Sequence, residues 1–134
     1  MMLPDHIELV KRVARRLSSE SGYVFLKSAG YKPGVPIVSA GSRERLSDVF
    51  ESIRGMRGDS FFLAIEQEDS RCLLVLPLVR RQLVELDRLV NPDLTVGGFV
   101  EQLRDGARDG GKMEPFMMIF RDTQVYELLG ECNG

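Results

Sequence analysis

A chain of 134 residues, 43% hydrophobic and 28% charged, is long enough to bury one sizeable core and has the composition of a folded globular domain. Its formal net charge of -2 and pI near 5.5 argue against general affinity for nucleic acid or an anionic membrane surface, leaving room only for a local basic patch. No apolar run approaches the ~18 residues a membrane helix needs, and Cys72 and Cys132 lie too far apart in sequence for a CxxC motif, so the expectation is a single cytoplasmic domain over residues 1–134.

Residues 4–20 carry the clearest helical pattern. Ile7, Leu9, Val10, Val13, Ala14 and Leu17 recur on one side at ~100° per residue, with Glu8, Lys11, Arg12, Arg15, Arg16 and Ser19 opposite. Ser21-Gly22 reads as the end of this helix. The stretch YVFLKSAG, residues 23–30, is rich in β-formers and reads as a strand, YKPG as a turn and VPIVSAG as the strand's hairpin partner. A second helix is expected over residues 42–57, with Ser42 as N-cap and Leu46, Val49, Phe50, Ile53 and Met56 as its apolar stripe. FFLAI and LLVL, flanking the polar turn QEDS, predict a hairpin. Residues 79–90 read as a third helix stopped by Asn91-Pro92. A fourth begins near Thr95 and uses Val96, Phe99, Val100, Leu103 and Ala107. The segment EPFMMIFRDTQVYELLG, residues 114–130, predicts a last hairpin.

The predicted order is α-ββ-α-ββ-αα-ββ: an α+β fold with an antiparallel or mixed sheet of about six strands built from helix–hairpin units. FFLAI, LLVL and FMMIF are nearly continuous apolar runs. A sheet with one wet face alternates apolar and polar residues instead, so both faces should be covered. Four helices of one chain can do this, and so can a symmetric partner. The second possibility leads to the expectation of a homodimer with PFMMIF at the interface.

Catalytic and metal chemistry find little support. His6 is the only histidine, there is no G-x-S-x-G nucleophile elbow, and acidic residues cluster only at the QEDS turn. No catalytic residue, metal ligand or cofactor is therefore assigned. GARDGGK, residues 106–112, matches the G-x-x-x-x-G-K spacing of a phosphate loop. Met113 replaces the magnesium-binding Ser or Thr, and a helix precedes the loop where one should follow, so it is assigned no nucleotide.

Two surfaces remain. Lys11, Arg12, Arg15 and Arg16 span about 140° of the first helix with only Glu8 among them. The face has no interleaved aromatics for stacking on bases, and the chain is acidic overall, so a protein partner is favoured over nucleic acid. Gly41, Ser42, Arg43 and Arg45 lie at an expected strand-to-helix junction, where free N–H groups and basic side chains can receive an anion. The leading expectation is a non-enzymatic binding or regulatory module acting through protein–protein contacts. The alternative is a small enzyme or ligand-binding domain that holds an anionic or phosphorylated molecule at residues 41–45.

Overall fold

The computed structural model describes residues 4–67, 72–82, 93–109, 119–120 and 123–128. In chain order these form α1 (Pro4–Ser18), α2 (Glu20–Ser28), β1 (Ile37–Gly41), α3 (Leu46–Arg54), β2 (Ser60–Glu66), β3 (Leu73–Val79), α4 (Val96–Asp109) and β4 (Tyr126–Leu128). Residues 80–82, directly after β3, are also helical. The strands form one mixed sheet in the order β1-β2-β3-β4. The α+β class is as expected, but the described sheet has four strands rather than about six.

The first missing strand is residues 23–30, most of which belong to α2. Ser19 breaks the chain away from α1 in an extended conformation, and its side chain caps α2 by accepting from the Gly22 amide at 3.1 Å. Glu20 in the first turn and Lys27 in the last both suit the helix dipole. Gly22, Leu26 and Ala29 are buried, a spacing of four and three that marks one helix face. Tyr23 and Val24 are 59% and 61% exposed. The β-preference of Tyr-Val-Phe is thus outweighed by a cap and by one buried helical stripe. The predicted end of the first helix at Ser21-Gly22 moves accordingly to Ser18, with Gly22 inside the next helix.

The second strand not found among the described residues is FMMIF, of which only the last two residues are described. Ile119 and Phe120 lie in a short 3₁₀ turn, with Phe120 fully buried, and residues 114–118 lie outside the described residues. β4 pairs antiparallel with β3 from Leu73↔Leu128 to Val75↔Tyr126. Among the described residues the helix–hairpin repeat is therefore not seen. The one described hairpin is β2–β3, in register from Ser60↔Val79 to Glu66↔Leu73. β1 runs parallel to β2, from Ile37↔Phe62 to Gly41↔Glu66, with α3 as the crossover a parallel pair requires. Pro77 lies in β3 beyond Val75, the last residue paired with β4, so its missing N–H costs no bond to that strand.

The continuous apolar runs have the expected cause: helices cover both faces of the sheet. On one face Phe61, Leu63, Ile65, Leu74, Leu76 and Leu78 meet the apolar stripes of α3 and α4 and Phe120. On the other, Phe62, Ala64, Leu73 and Val75 meet Leu9, Val13 and Leu17 of α1 together with Leu26 and Ala29. Side chains of both parities along β2 and β3 are thus buried within this one chain. α3 is shorter than predicted: it begins at Leu46 with Arg45 as N-cap and ends at Arg54 with Gly55 as C-cap. Of the predicted third helix, residues 80–82 are helical, Val79 closes β3, and residues 83–90 lie outside the described residues.

Candidate functional site

The geometry of α1 divides its basic face in two. A helix surface is made of rows at i, i+4. Leu9, Val13 and Leu17 form the buried row against the sheet. Arg12 and Arg16 lie on the row that leans toward β2 and β4. The Arg12 Nη2 donates to Glu66 Oε1 at 2.9 Å, and its Nε lies 3.2 Å from Glu66 Oε2. Arg16 Nη2 donates to the Leu128 carbonyl at 3.2 Å, at the last residue of β4. These two arginines fasten α1 to two strands far apart in sequence, β2 and β4.

The Arg12–Glu66 side chains are 46% and 23% exposed, so water competes for both. Arg12→Ala should cost under about 1 kcal/mol and should matter less as salt rises. Urea midpoints at low and high ionic strength check this. A loss of several kcal/mol would mean that the pair organises far more of the α1 docking than its exposure implies.

Lys11 and Arg15 form a different row, headed by Ile7, and both are exposed. Lys11 Nζ lies 3.8 Å from the equally solvated Glu8. Arg15 makes no hydrogen bond or ion pair with the described residues. Between this row and the buried one runs the row Val10, Ala14, Ser18. It forms one wall of an open, mostly apolar groove of about 280 Å³. Val13 and Leu17 form its base, with Leu26, Tyr31, Ile37 and Ser39 completing the lining. The groove lies against β1, which among the described residues is an edge strand paired only with β2. No sequence pattern marked this groove, because residues 23–30, read as a strand, would have closed that edge of β1.

Residues 41–45 are arranged differently from the expected helix start. Ser42 is not the N-cap; Arg45 is, without a side-chain cap bond. The Gly41 amide donates to Glu44 Oε2 at 2.5 Å, and the Glu44 amide to the Gly41 carbonyl at 3.1 Å. The segment then docks on the start of α4. Val96 and Gly97 donate to the Glu44 and Ser42 carbonyls, both at 2.9 Å, and Leu46 donates to the Leu94 carbonyl at 3.0 Å. Arg45 and Thr95 form an antiparallel bridge, and Thr95 Oγ1 accepts from Gly98 at 3.1 Å. A Cβ on Gly97 would lie 3.1 Å from the Ser42 carbonyl oxygen, which is why a residue without one stands at this contact. Two helix starts, α3 and α4, thus exchange caps. Arg43 and Arg45 extend outward from this junction, both exposed.

No family model matches this sequence, and no curated protein or solved structure matches it either. The site therefore rests on chemistry alone. Among the described residues, no three of His, Cys, Asp and Glu gather as metal ligands, and no helix is long and apolar enough to cross a membrane. Of the phosphate-loop look-alike, residues 106–109 belong to α4, while residues 110–112 lie outside the described residues.

Proposed function

We propose that this chain is a non-enzymatic binding or regulatory module of the cytoplasm that works through protein–protein contacts on the solvent side of α1. The observation that supports this reading is the division of the basic face. Arg12 and Arg16 bond to the sheet, whereas Lys11 and Arg15 face water beside an apolar row. Cations next to exposed apolar surface suit an acidic protein partner. The net charge of -2 disfavours nucleic acid as the general target.

The test is affinity capture from the native cells with wild-type chain and with a Lys11→Glu/Arg15→Glu double variant of unchanged circular dichroism. Acidic proteins held by the wild type and lost by the variant are the expected result. Retention of the same proteins by both, or capture of nucleic acid alone, overturns the reading. Self-association is the other contact proposed. Light scattering tests it, and a mass of 15.1 kDa, one chain, at all concentrations ends it. The alternative, an anionic ligand held by Gly41, Ser42, Arg43 and Arg45, gains no specific support, because the Gly41, Glu44 and Leu46 amides already have protein acceptors.

A further inference from the structure

β1 presents both a row of backbone groups and a groove on its open side. The Phe62 amide donates to the Pro36 carbonyl at 2.9 Å, which fixes the phase of the parallel ladder. Successive residues of a strand turn their N–H and C=O groups to opposite edges. Residues 36, 38 and 40 therefore face β2, while Ile37, Ser39 and Gly41 face away from it. The outward Gly41 amide is already taken by Glu44. The outward groups of Ile37 and Ser39 have no strand partner among the described residues. The side chains of the same two residues line the groove under α1.

From this juxtaposition we infer that β1 is a strand-addition site for an extended, acidic segment of a partner protein, with an apolar side chain of that segment seated in the groove beside Ala14. The inference rests on the proposed protein-binding reading and names the form of its ligand. Main-chain bonds to Ile37 and Ser39 give such a complex its affinity, and pockets for alternate side chains give its selectivity. The groove wall of Val10, Ala14 and Ser18 accepts one apolar residue. Ile7, 40% exposed, continues the apolar surface along the rim. Lys11 and Arg15, on that same rim, set the charge: beside Glu8 on α1, and with the Glu44 carboxylate held on the Gly41 amide at the end of β1, their two cations favour acidic residues in the part of the incoming strand that lies along α1. A second copy of this chain fits less well. Two-fold pairing of β1 with itself would bring the two α1 rims together, cation against cation.

The probe is a fluorescein-labelled peptide of about seven residues that alternates Leu and Glu, a length typical of a strand. Its control is a glutamate-only peptide of equal length. Fluorescence anisotropy should show saturable binding of the alternating peptide and at least roughly tenfold weaker binding of the control. Ala14→Arg fills the groove from an exposed helix position and should weaken the alternating peptide by a similar factor, with the melting temperature unchanged. In amide NMR spectra the Ile37 and Ser39 resonances should move on binding and their exchange should slow.

Equal binding of both peptides that is lost in Lys11→Glu/Arg15→Glu overturns strand addition while leaving the basic-face reading intact. Binding of neither peptide overturns strand addition; the capture experiment then judges the basic-face reading separately. Peptide binding with Ile37 and Ser39 amides unmoved overturns the inference as well. A two-chain mass that Ala14→Arg reduces to one chain makes the occupant a second copy and overturns it too.

Discussion

Replacing Phe99 with alanine should destabilise the protein by about 4–5 kcal/mol, the upper end of the range for a buried phenylalanine. Phe99 is fully buried on the face of α4 that meets the sheet. Its ring stands edge-on to Phe50 of α3 at 6.4 Å and edge-on to Phe120 at 5.0 Å. Truncation removes the transfer energy of the ring, opens a cavity between three separate segments, and deletes two aromatic pairs worth about 0.5–1.5 kcal/mol each. A domain of this size has only about 5–15 kcal/mol in all, so the variant should sit near the limit of folding. Urea titration measures the loss, with Phe99→Leu as a milder companion that keeps most of the volume. A loss below about 1 kcal/mol for Phe99→Ala would mean that the α3/α4 core does not close around this ring.

Gly22→Ala should also destabilise, by about 3 kcal/mol, against the usual sign for such a change. In an ordinary helix interior the added methyl gains up to about 1 kcal/mol of helix propensity. At Gly22, however, a Cβ would stand 2.0 Å from the Arg16 carbonyl oxygen and 2.7 Å from the Leu17 Cα. Both obstacles are backbone of α1, so no rotamer change relieves the overlap. The two helices would have to part, lifting Leu26 and Ala29 from the core beneath them. Gly55 supplies the control. There the nearest atom to an added Cβ is the Ser52 carbonyl oxygen at 4.0 Å, an ordinary contact. Gly55→Ala should be neutral or slightly stabilising, because it narrows the unfolded ensemble. Denaturation midpoints of the two variants check the pair. A stabilising Gly22→Ala would show that α1 and α2 pack less closely than these distances state.

Much of the fold can be read directly in the sequence. The stripes Leu9, Val13, Leu17 and Leu46, Val49, Phe50, Ile53 follow the helical period, and so does Val96, Phe99, Val100, Leu103. The unbroken runs FFLAI and LLVL announce a sheet buried on both faces. What the period cannot reveal is α2, where Tyr-Val-Phe favours a strand locally. Its helical state depends on the Ser19 cap and on the fit of Gly22 to α1, and the second is a tertiary fact. That one misreading carries the rest. A strand at residues 23–30 would have paired with β1, whereas a helix there frees β1 to run parallel with β2 and, among the described residues, leaves its far edge without a strand partner. The basic face shows the same divide. Its charges are plain in the sequence, but only the packing of α1 separates Arg12 and Arg16, which bind the sheet, from Lys11 and Arg15, which border the groove.

The exchange of caps between residues 42–46 and 94–97 bears on how this molecule loses order. Helix ends are commonly the first parts to fray, each on its own. Here the amides that begin α3 and α4 are held by each other's carbonyl groups, across about fifty residues of chain. Neither end can loosen without releasing the other, and both carry residues of the same aromatic core. The crossover between the parallel strands and the later helix therefore form one unit of cooperativity. On the opposite face, α1 rests on the sheet through Leu9, Val13 and Leu17 and is bonded to it on one flank by Arg12 and Arg16; among the described residues the other flank, proposed to meet a partner, carries no side-chain bond to the sheet.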